Sequence, residues 1–205
     1  MNETYDRELI LVRLRLVDLI KSFFQSQPDA EKMSRWRGMF SALSKEQINP
    51  LFDTAVREFS ALLKQKNLAD LEKEYYDLFI DPFSECQVNT MASWYLDGRS
   101  FGQTLVSLRG FLGEAGLERM EGVVDSEDSL VMMLDIFASL IEEEKKTDSD
   151  ASRNFQVRLL TEYLEPFSKM FSEAVEKNET AEFYITCCKL LRGYLDLEKG
   201  LVTVS

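Results

Sequence analysis

Apolar residues recur along this chain at intervals of three and four for most of its length. Between Asp6 and Phe24 they fall at Leu9, Val12, Leu16, Leu19, Ile20 and Phe23, with arginines opposite, which predicts an amphipathic helix. Pro28 ends that run, and Met33, Trp36, Phe40 and Leu43 predict a second helix over 30–43. Asn49-Pro50 reads as an N-cap followed by proline at the first helical position. The helix it opens is expected to bury Phe52, Ala55, Val56, Phe59, Leu62 and Leu63. After a break at Asn67, Leu68, Leu71, Tyr75, Leu78 and Phe79 line one side of a helix over 68–79. An irregular run follows from Ile80 to Arg99.

Helical spacing resumes with Phe101, Leu105, Leu108, Phe111 and Leu112, and Gly116 is the expected C-terminal cap. Asp125 or Ser126 is expected to cap the next helix, which buries Leu130, Met133, Leu134, Phe137, Leu140 and Ile141. It ends near Lys145 and Lys146, where the helix dipole favours cations. Thr147 to Asp150 is polar and is expected to be a mobile connection. Phe155, Leu159, Leu160, Tyr163 and Leu164 form another face, and Glu165-Pro166 is expected to restart the chain into Phe167, Met170, Phe171, Ala174 and Val175. A last helix over 180–197 buries Phe183, Tyr184, Cys187, Leu190, Leu191 and Tyr194. No segment alternates with the period of a strand. The expected class is all-α: one domain over 1–205 with about eight to ten helices, either undivided or split into two helical halves near residues 147–150.

Charge changes this picture at one place. From Glu72 to Glu144 there are 16 acidic and 4 basic residues, whereas the rest of the chain holds 20 of each, so the whole net charge of −12 sits in one segment. The same segment contains Gly98, Gly102, Gly110, Gly113, Gly116 and Gly122 and the irregular run, so the binding surface is sought there. An acidic balance of this size repels a phosphate backbone and makes nucleic acid an unsuitable partner.

Composition excludes further classes. With no histidine, Ser-His-Asp and Cys-His catalysis, imidazole metal sites and histidine pH switches are ruled out. Cys86, Cys187 and Cys188 make no C-x-x-C pair, and an odd count without a secretory signal points to a reducing compartment. The first apolar run is broken by Arg13, Arg15 and Asp18, and no later run approaches the roughly 18 residues needed to span a bilayer. A cytoplasmic protein without stable membrane insertion is expected.

Neither phosphate-binding glycine pattern occurs between Gly98 and Gly116, so those glycines are assigned to turns and close helix packing. Glu127 with Asp128, or Glu142-Glu143-Glu144, could hold a hard cation. A helix N-terminus stabilised by Asp125 to Asp128 and a solvated glutamate face account for them better, and no cofactor is expected. Tyr75 and Phe79 sit at core spacing, whereas Trp94 and Tyr95 flank the irregular run and precede Asp97-Gly98. An apolar groove with acidic edges suits a peptide that is basic in one half and apolar in the other.

Glu74-Tyr75-Tyr76-Asp77-Leu78-Phe79, Ser93-Trp94-Tyr95-Leu96-Asp97-Gly98, Ala115-Gly116-Leu117, Leu164-Glu165-Pro166-Phe167 and Phe183-Tyr184, taken in order, resemble motifs of the TorD/DmsD/NarJ-like chaperones for molybdenum oxidoreductases. Glu74-Tyr75-Tyr76-Asp77-Leu78-Phe79 matches that family's E-Y-x-x-L-F element, and Ser93-Trp94-Tyr95-Leu96-Asp97-Gly98 its S-x-Y followed by glycine. Ala115-Gly116-Leu117 matches an A-G-L turn, and Ser126-Glu127-Asp128-Ser129 stands at the family's P-x-D-H. Leu164-Glu165-Pro166-Phe167 and Phe183-Tyr184 match the last two elements, so the resemblance spans about residues 9–198. Ser126 replaces the usual proline and Ser129 the usual histidine, and the loop after Pro82 is poorer in proline than is common there.

The resemblance implies an all-helical cytoplasmic chaperone, not an enzyme. Such proteins bind a molybdenum (or tungsten) oxidoreductase subunit, often through its twin-arginine leader, and hold it while its cofactor is inserted. Tyr75, Leu78, Phe79, Trp94 and Tyr95 would then supply apolar contact, Asp125 and Asp128 would face the basic part of the client, and Ser129 would add a polar contact. Either a monomer or a domain-swapped dimer is compatible with it. The competing readings are a helical scaffold for another cytoplasmic protein and, with least support, a nucleotide hydrolase.

Overall fold

The computed structural model describes residues 3–118, 122, 124–147 and 150–203. Its α-helices are α1 Glu3–Phe24, α2 Ala30–Leu43, α3 Pro50–Gln65, α4 Leu68–Tyr75, α5 Ala92–Leu96, α6 Gln103–Glu114, α7 Leu130–Thr147, α8 Asp150–Arg158, α9 Glu165–Glu176 and α10 Phe183–Thr203. Two π-helical turns join them, Tyr76–Ile80 after α4 and Leu159–Leu164 between α8 and α9. Among the described residues there is no strand, only an isolated bridge between Met91 and Ser129. The class is all-α, as the spacing predicts.

Helix ends follow local chemistry. Asn49 accepts hydrogen bonds from the amides of Leu51 (2.8 Å) and Phe52 (3.3 Å), with Pro50 at the first helical position. Asn67, where the apolar run breaks, starts α4 with a capping box closed by Asp70. Gly116, at φ +68°, ends α6: Leu117 N–H reaches Leu112 O (2.9 Å) and Gly116 N–H reaches Gly113 O (3.2 Å), the paired bonds of a Schellman motif.

Other expectations are corrected. The cap of α7 is Ser129, whose hydroxyl accepts from Met132 N–H (3.3 Å), not Asp125 or Ser126. Pro166 does not restart the chain, because the helix runs through it. The wider π turn just before it, with Glu165 N–H bonded to Leu160 O, absorbs the amide a proline cannot donate. The run Ile80 to Arg99 is not wholly irregular, since it contains α5.

The chain divides into two compact units, one of residues 1–18, 90–167 and 198–205 and one of 19–89 and 168–197. Helices α7 and α8, which flank the polar connection at 147–150, both belong to the first. Asp148 and Ser149, and with them the expected mobility there, lie outside the described residues.

The second unit has an aromatic core. Phe40 and Phe59 lie 4.2 Å apart between centroids, Phe23 and Phe59 4.9 Å, and Trp36 and Phe183 5.8 Å. Trp36 donates its indole N–H to Ser22 Oγ at 2.9 Å. Gly193 lets α10 approach α3, since a Cβ there would stand 2.9 Å from Phe52 Cα. Glu74 is buried, and its carboxylate accepts the amides of Glu182 (2.9 Å), Phe183 (3.1 Å) and Tyr184 (2.8 Å). It thereby caps α10 from 108 residues away. Burial raises its pKa, and the three amides only partly offset that.

The first unit is organised around a buried guanidinium. Arg13 is 4% exposed, whereas Val12, assigned to the apolar face, is 48% exposed. Arg13 lies four residues after Leu9 and so shares its side of the helix. It donates to Glu198 Oε2 (2.8 Å), to Glu144 Oε2 (2.9 Å) and to Gln156 Oε1. Gln156 in turn donates to Glu144 (2.9 Å) and Leu140 O (3.2 Å), and Arg153 forks onto the other Glu144 oxygen. Burial pushes the Glu144 pKa up, but its bonds to Gln156, Arg153 and Arg13 prevail and leave it below the usual value.

Two predictions follow from these capped and buried charges. Arg13→Met should cost about 3–5 kcal/mol in urea unfolding, the usual result of stranding buried carboxylates. Because the folded pKa of Glu144 is depressed, its contribution is present above the unfolded value of about 4.3 and lost as pH falls through the folded one. The acid-side loss of stability should therefore be shallower in Arg13→Met than in the wild type. Glu74→Gln should lose about 1–3 kcal/mol, because an amide nitrogen would face a backbone N–H that the carboxylate now satisfies. Faster hydrogen exchange at 182–184 is the expected local sign.

Candidate functional site

Asp128 builds the site from beneath. Its side chain is fully buried: Oδ2 accepts Ser93 N–H at 2.9 Å and Oδ1 accepts the Ser126 hydroxyl. Its carbonyl accepts Ala92 N–H (2.8 Å), and Thr90 O accepts Leu130 N–H (2.9 Å). These bonds fasten the start of α5 to the start of α7. Ser93 is itself fully buried, so its S-x-Y motif serves first as the anchor of α5.

Above this clasp opens a cavity of about 300 Å³ lined by Thr90, Met91, Phe101, Arg109, Val124, Asp125, Ser126 and Ser129. Phe101 and Val124 are 67% and 92% exposed, unusual for large apolar side chains. Phe101 has φ +58°, a left-handed conformation that costs a non-glycine residue roughly 1–2 kcal/mol. Its neighbours impose it. Asp97 accepts Thr104 N–H (2.7 Å) and Thr104 Oγ1 (2.9 Å) across the loop. The same carboxylate lies over Gly102, where a Cβ would meet it at 2.3 Å. On the other wall, the Arg109 guanidinium forks onto the nearly buried Glu127 carboxylate at 2.9 and 3.2 Å. Asp125 is exposed at the rim.

The expected site residues divide between the units. Asp125 and Ser129 line the cavity, and Asp128 lies buried beneath it, with one oxygen bonded to Ser93 N–H and the other to the Ser126 hydroxyl. Trp94 is 48% exposed on α5. Tyr95 is half-buried, with its ring 5.6 Å from that of Phe167. Tyr75, Leu78 and Phe79 belong to the other unit. Leu78 is fully buried and Tyr75 6% exposed, while Phe79 is half-buried against Tyr75 (5.2 Å) and Tyr184 (5.0 Å). Tyr75 and Leu78 are therefore packed in the core of that unit. At this motif Tyr76 and Ile80 are the exposed apolar side chains.

The acidic excess is not all on the surface either, since Glu74, Glu127, Asp128 and Glu144 are buried. Sequence reasoning passed over Phe101 as a core residue and did not single out Arg109, whose partner lies 18 residues away. The Phe-Gly pair beside Asp97 was the available signal for the first. Among the described residues no cluster of three or more cysteine and carboxylate side chains is arranged to hold a metal, and no helix is long and apolar enough to cross a membrane.

The fold is thus all-helical and carries a partly apolar cavity with Asp125 and Arg109 on its lining. A crystal structure assigned as a redox enzyme maturation protein from Archaeoglobus fulgidus shares this fold, with a TM-score of 0.57 and 20% identity over 90% of this chain and 93% of that one. The chaperone protein TorD of Actinobacillus succinogenes is 29% identical over 174 residues, which are 75% of this chain and 86% of the relative. Residues 45–173 match the model of the nitrate reductase delta subunit family. The chain belongs to that family, the TorD/DmsD/NarJ-like maturation chaperones of molybdenum oxidoreductases. Its role is accordingly that of a molybdoenzyme maturation chaperone.

Burial separates the two aspartates experimentally. Asp128→Asn should lose about 1 kcal/mol, because the bonds to Ser93 N–H and the Ser126 hydroxyl lose the charge assistance of a carboxylate. Asp125→Asn should stay within about 0.5 kcal/mol of the wild type, as surface substitutions do. Thermal melts of the two variants side by side check this.

Proposed function

We propose that this chaperone acts in the cytoplasm on a molybdenum (or tungsten) oxidoreductase subunit. It takes hold of the client by its twin-arginine leader and keeps it while the cofactor is inserted. The observation that carries this reading is the exposed carboxylate of Asp125 on the same cavity as the solvent-facing Phe101 and Val124. A twin-arginine leader is basic first and apolar afterwards, and a surface of one free negative charge beside unshielded apolar side chains complements both halves. Trp94, on the helix anchored by Asp128, extends the apolar contact, with Tyr95 as a partly covered neighbour. Ser129 supplies a polar edge, while Asp128 acts by positioning the others.

The test is calorimetric titration of the wild type and Asp125→Asn with leader peptides from molybdoenzyme subunits at two salt concentrations. Binding of a leader that weakens with salt, and a weaker salt dependence in Asp125→Asn, is the expected result. No binding to any leader would turn the reading towards recognition of a mature, non-exported subunit.

A further inference from the structure

Phe101 combines two unfavourable features. Its backbone is left-handed, at φ +58°, and its side chain is 67% exposed. Strain of this kind persists only where the surroundings over-determine it, and a large apolar side chain gains nothing by facing water. The free protein therefore receives no burial in return for the strained backbone. One residue, Asp97, holds both ends of the loop that carries Phe101. Its backbone N–H closes α5 on Ser93 O at 2.9 Å. Its carboxylate holds the start of α6 through Thr104 N–H (2.7 Å) and the Thr104 hydroxyl (2.9 Å). Gly98, at φ +71°, turns the chain out of α5, and Gly102 leaves room for the carboxylate, which a Cβ there would meet at 2.3 Å. Between these two glycines Phe101 stands on the cavity that also carries Asp125. The other end of α5 is secured by Asp128 through Ser93 N–H.

We propose that Asp97 is a positioning residue for client binding. By closing this loop it presents Phe101 outward before a client arrives, ready for the apolar half of the leader. Its carboxylate works within the chaperone, on Thr104, while Asp125 meets the basic half. Ordering the loop in advance removes a cost that binding would otherwise carry. This rests on the leader-binding reading above and adds to it the residue that preorganises the apolar contact.

The test titrates a twin-arginine leader by calorimetry into the wild type, Asp97→Ala, Asp97→Asn, Phe101→Ala and the Asp97→Ala/Phe101→Ala double variant. Phe101→Ala should weaken binding about tenfold, and Asp97→Ala about two- to tenfold. Asparagine keeps an oxygen for Thr104 N–H, so Asp97→Asn should stay within about twofold of the wild type. In the Phe101→Ala background, Asp97→Ala should change nothing further. Wild-type affinity in a folded Asp97→Ala would overturn the proposal. So would equal weakening by asparagine and alanine, which would assign the effect to charge, or additive losses in the double variant. Should Asp97→Ala not fold, Thr104→Val takes its place, removes only the hydroxyl bond and should weaken binding by less.

A second measurement needs no leader. Backbone NMR shifts of Phe101 should read left-handed in the wild type and in Asp97→Asn, and should lose that signature in Asp97→Ala. Left-handed shifts retained by a folded Asp97→Ala would overturn the positioning role by itself. A wild type that binds no leader would instead count against the leader reading, and the client half of the proposal would fall with it.

Discussion

One buried carboxylate shapes the cavity. Asp128 stands where the starts of two helices meet, and it fixes both by giving each oxygen to a different partner, the Ser93 amide and the Ser126 hydroxyl. Unmade, such bonds would leave a desolvated charge, which few folds tolerate. Made, they place α5 with its exposed Trp94 and hold Ser126 and Ser129 on the cavity wall. The arrangement explains why serine can stand at 129, where the related chaperones usually carry histidine. In this chain that position caps α7 through its hydroxyl, a task serine performs well.

The two units are stabilised by different physics. The second is an aromatic core whose long-range polar contacts include Glu74 on the amides of α10. The first contains a buried ionic cluster centred on Arg13, which joins α1, α7, α8 and α10. Replacing such a cluster by apolar residues is often neutral, but removing one member is not. Its value lies in specifying which helices meet, because a misplaced helix would strand a charge.

Periodicity made most of the fold legible, because an amphipathic helix writes its buried face directly into the spacing of Leu, Phe and Val. Asn49, Asn67 and Gly116 marked ends by chemistry that is local in sequence. What escaped was non-local. Arg13 reads as a polar interruption until Glu144 and Glu198 arrive from 131 and 185 residues away. Pro166 reads as a break because nothing local announces a π turn. At the site, Asp125 and Ser129 were legible as polar residues ahead of a helix. Spacing alone could not show that Asp128 is buried, that Tyr75 and Leu78 face the core, or that Phe101 faces solvent. The positive φ of Phe101 depends on Asp97 folding back over Gly102 and Thr104.

The acidic count from Glu72 to Glu144 therefore needs a physical correction. Part of that charge is consumed in holding the fold, and the rest is what we propose meets a partner, Asp125 above all. The central claim is that a client leader is received on the cavity above Asp128. Its most direct test is backbone NMR of the chaperone with and without a twin-arginine leader. The account predicts shift changes concentrated at 90–94, 101–109 and 124–130. Changes confined to residues 19–89 and 168–197, with that cavity silent, would contradict it.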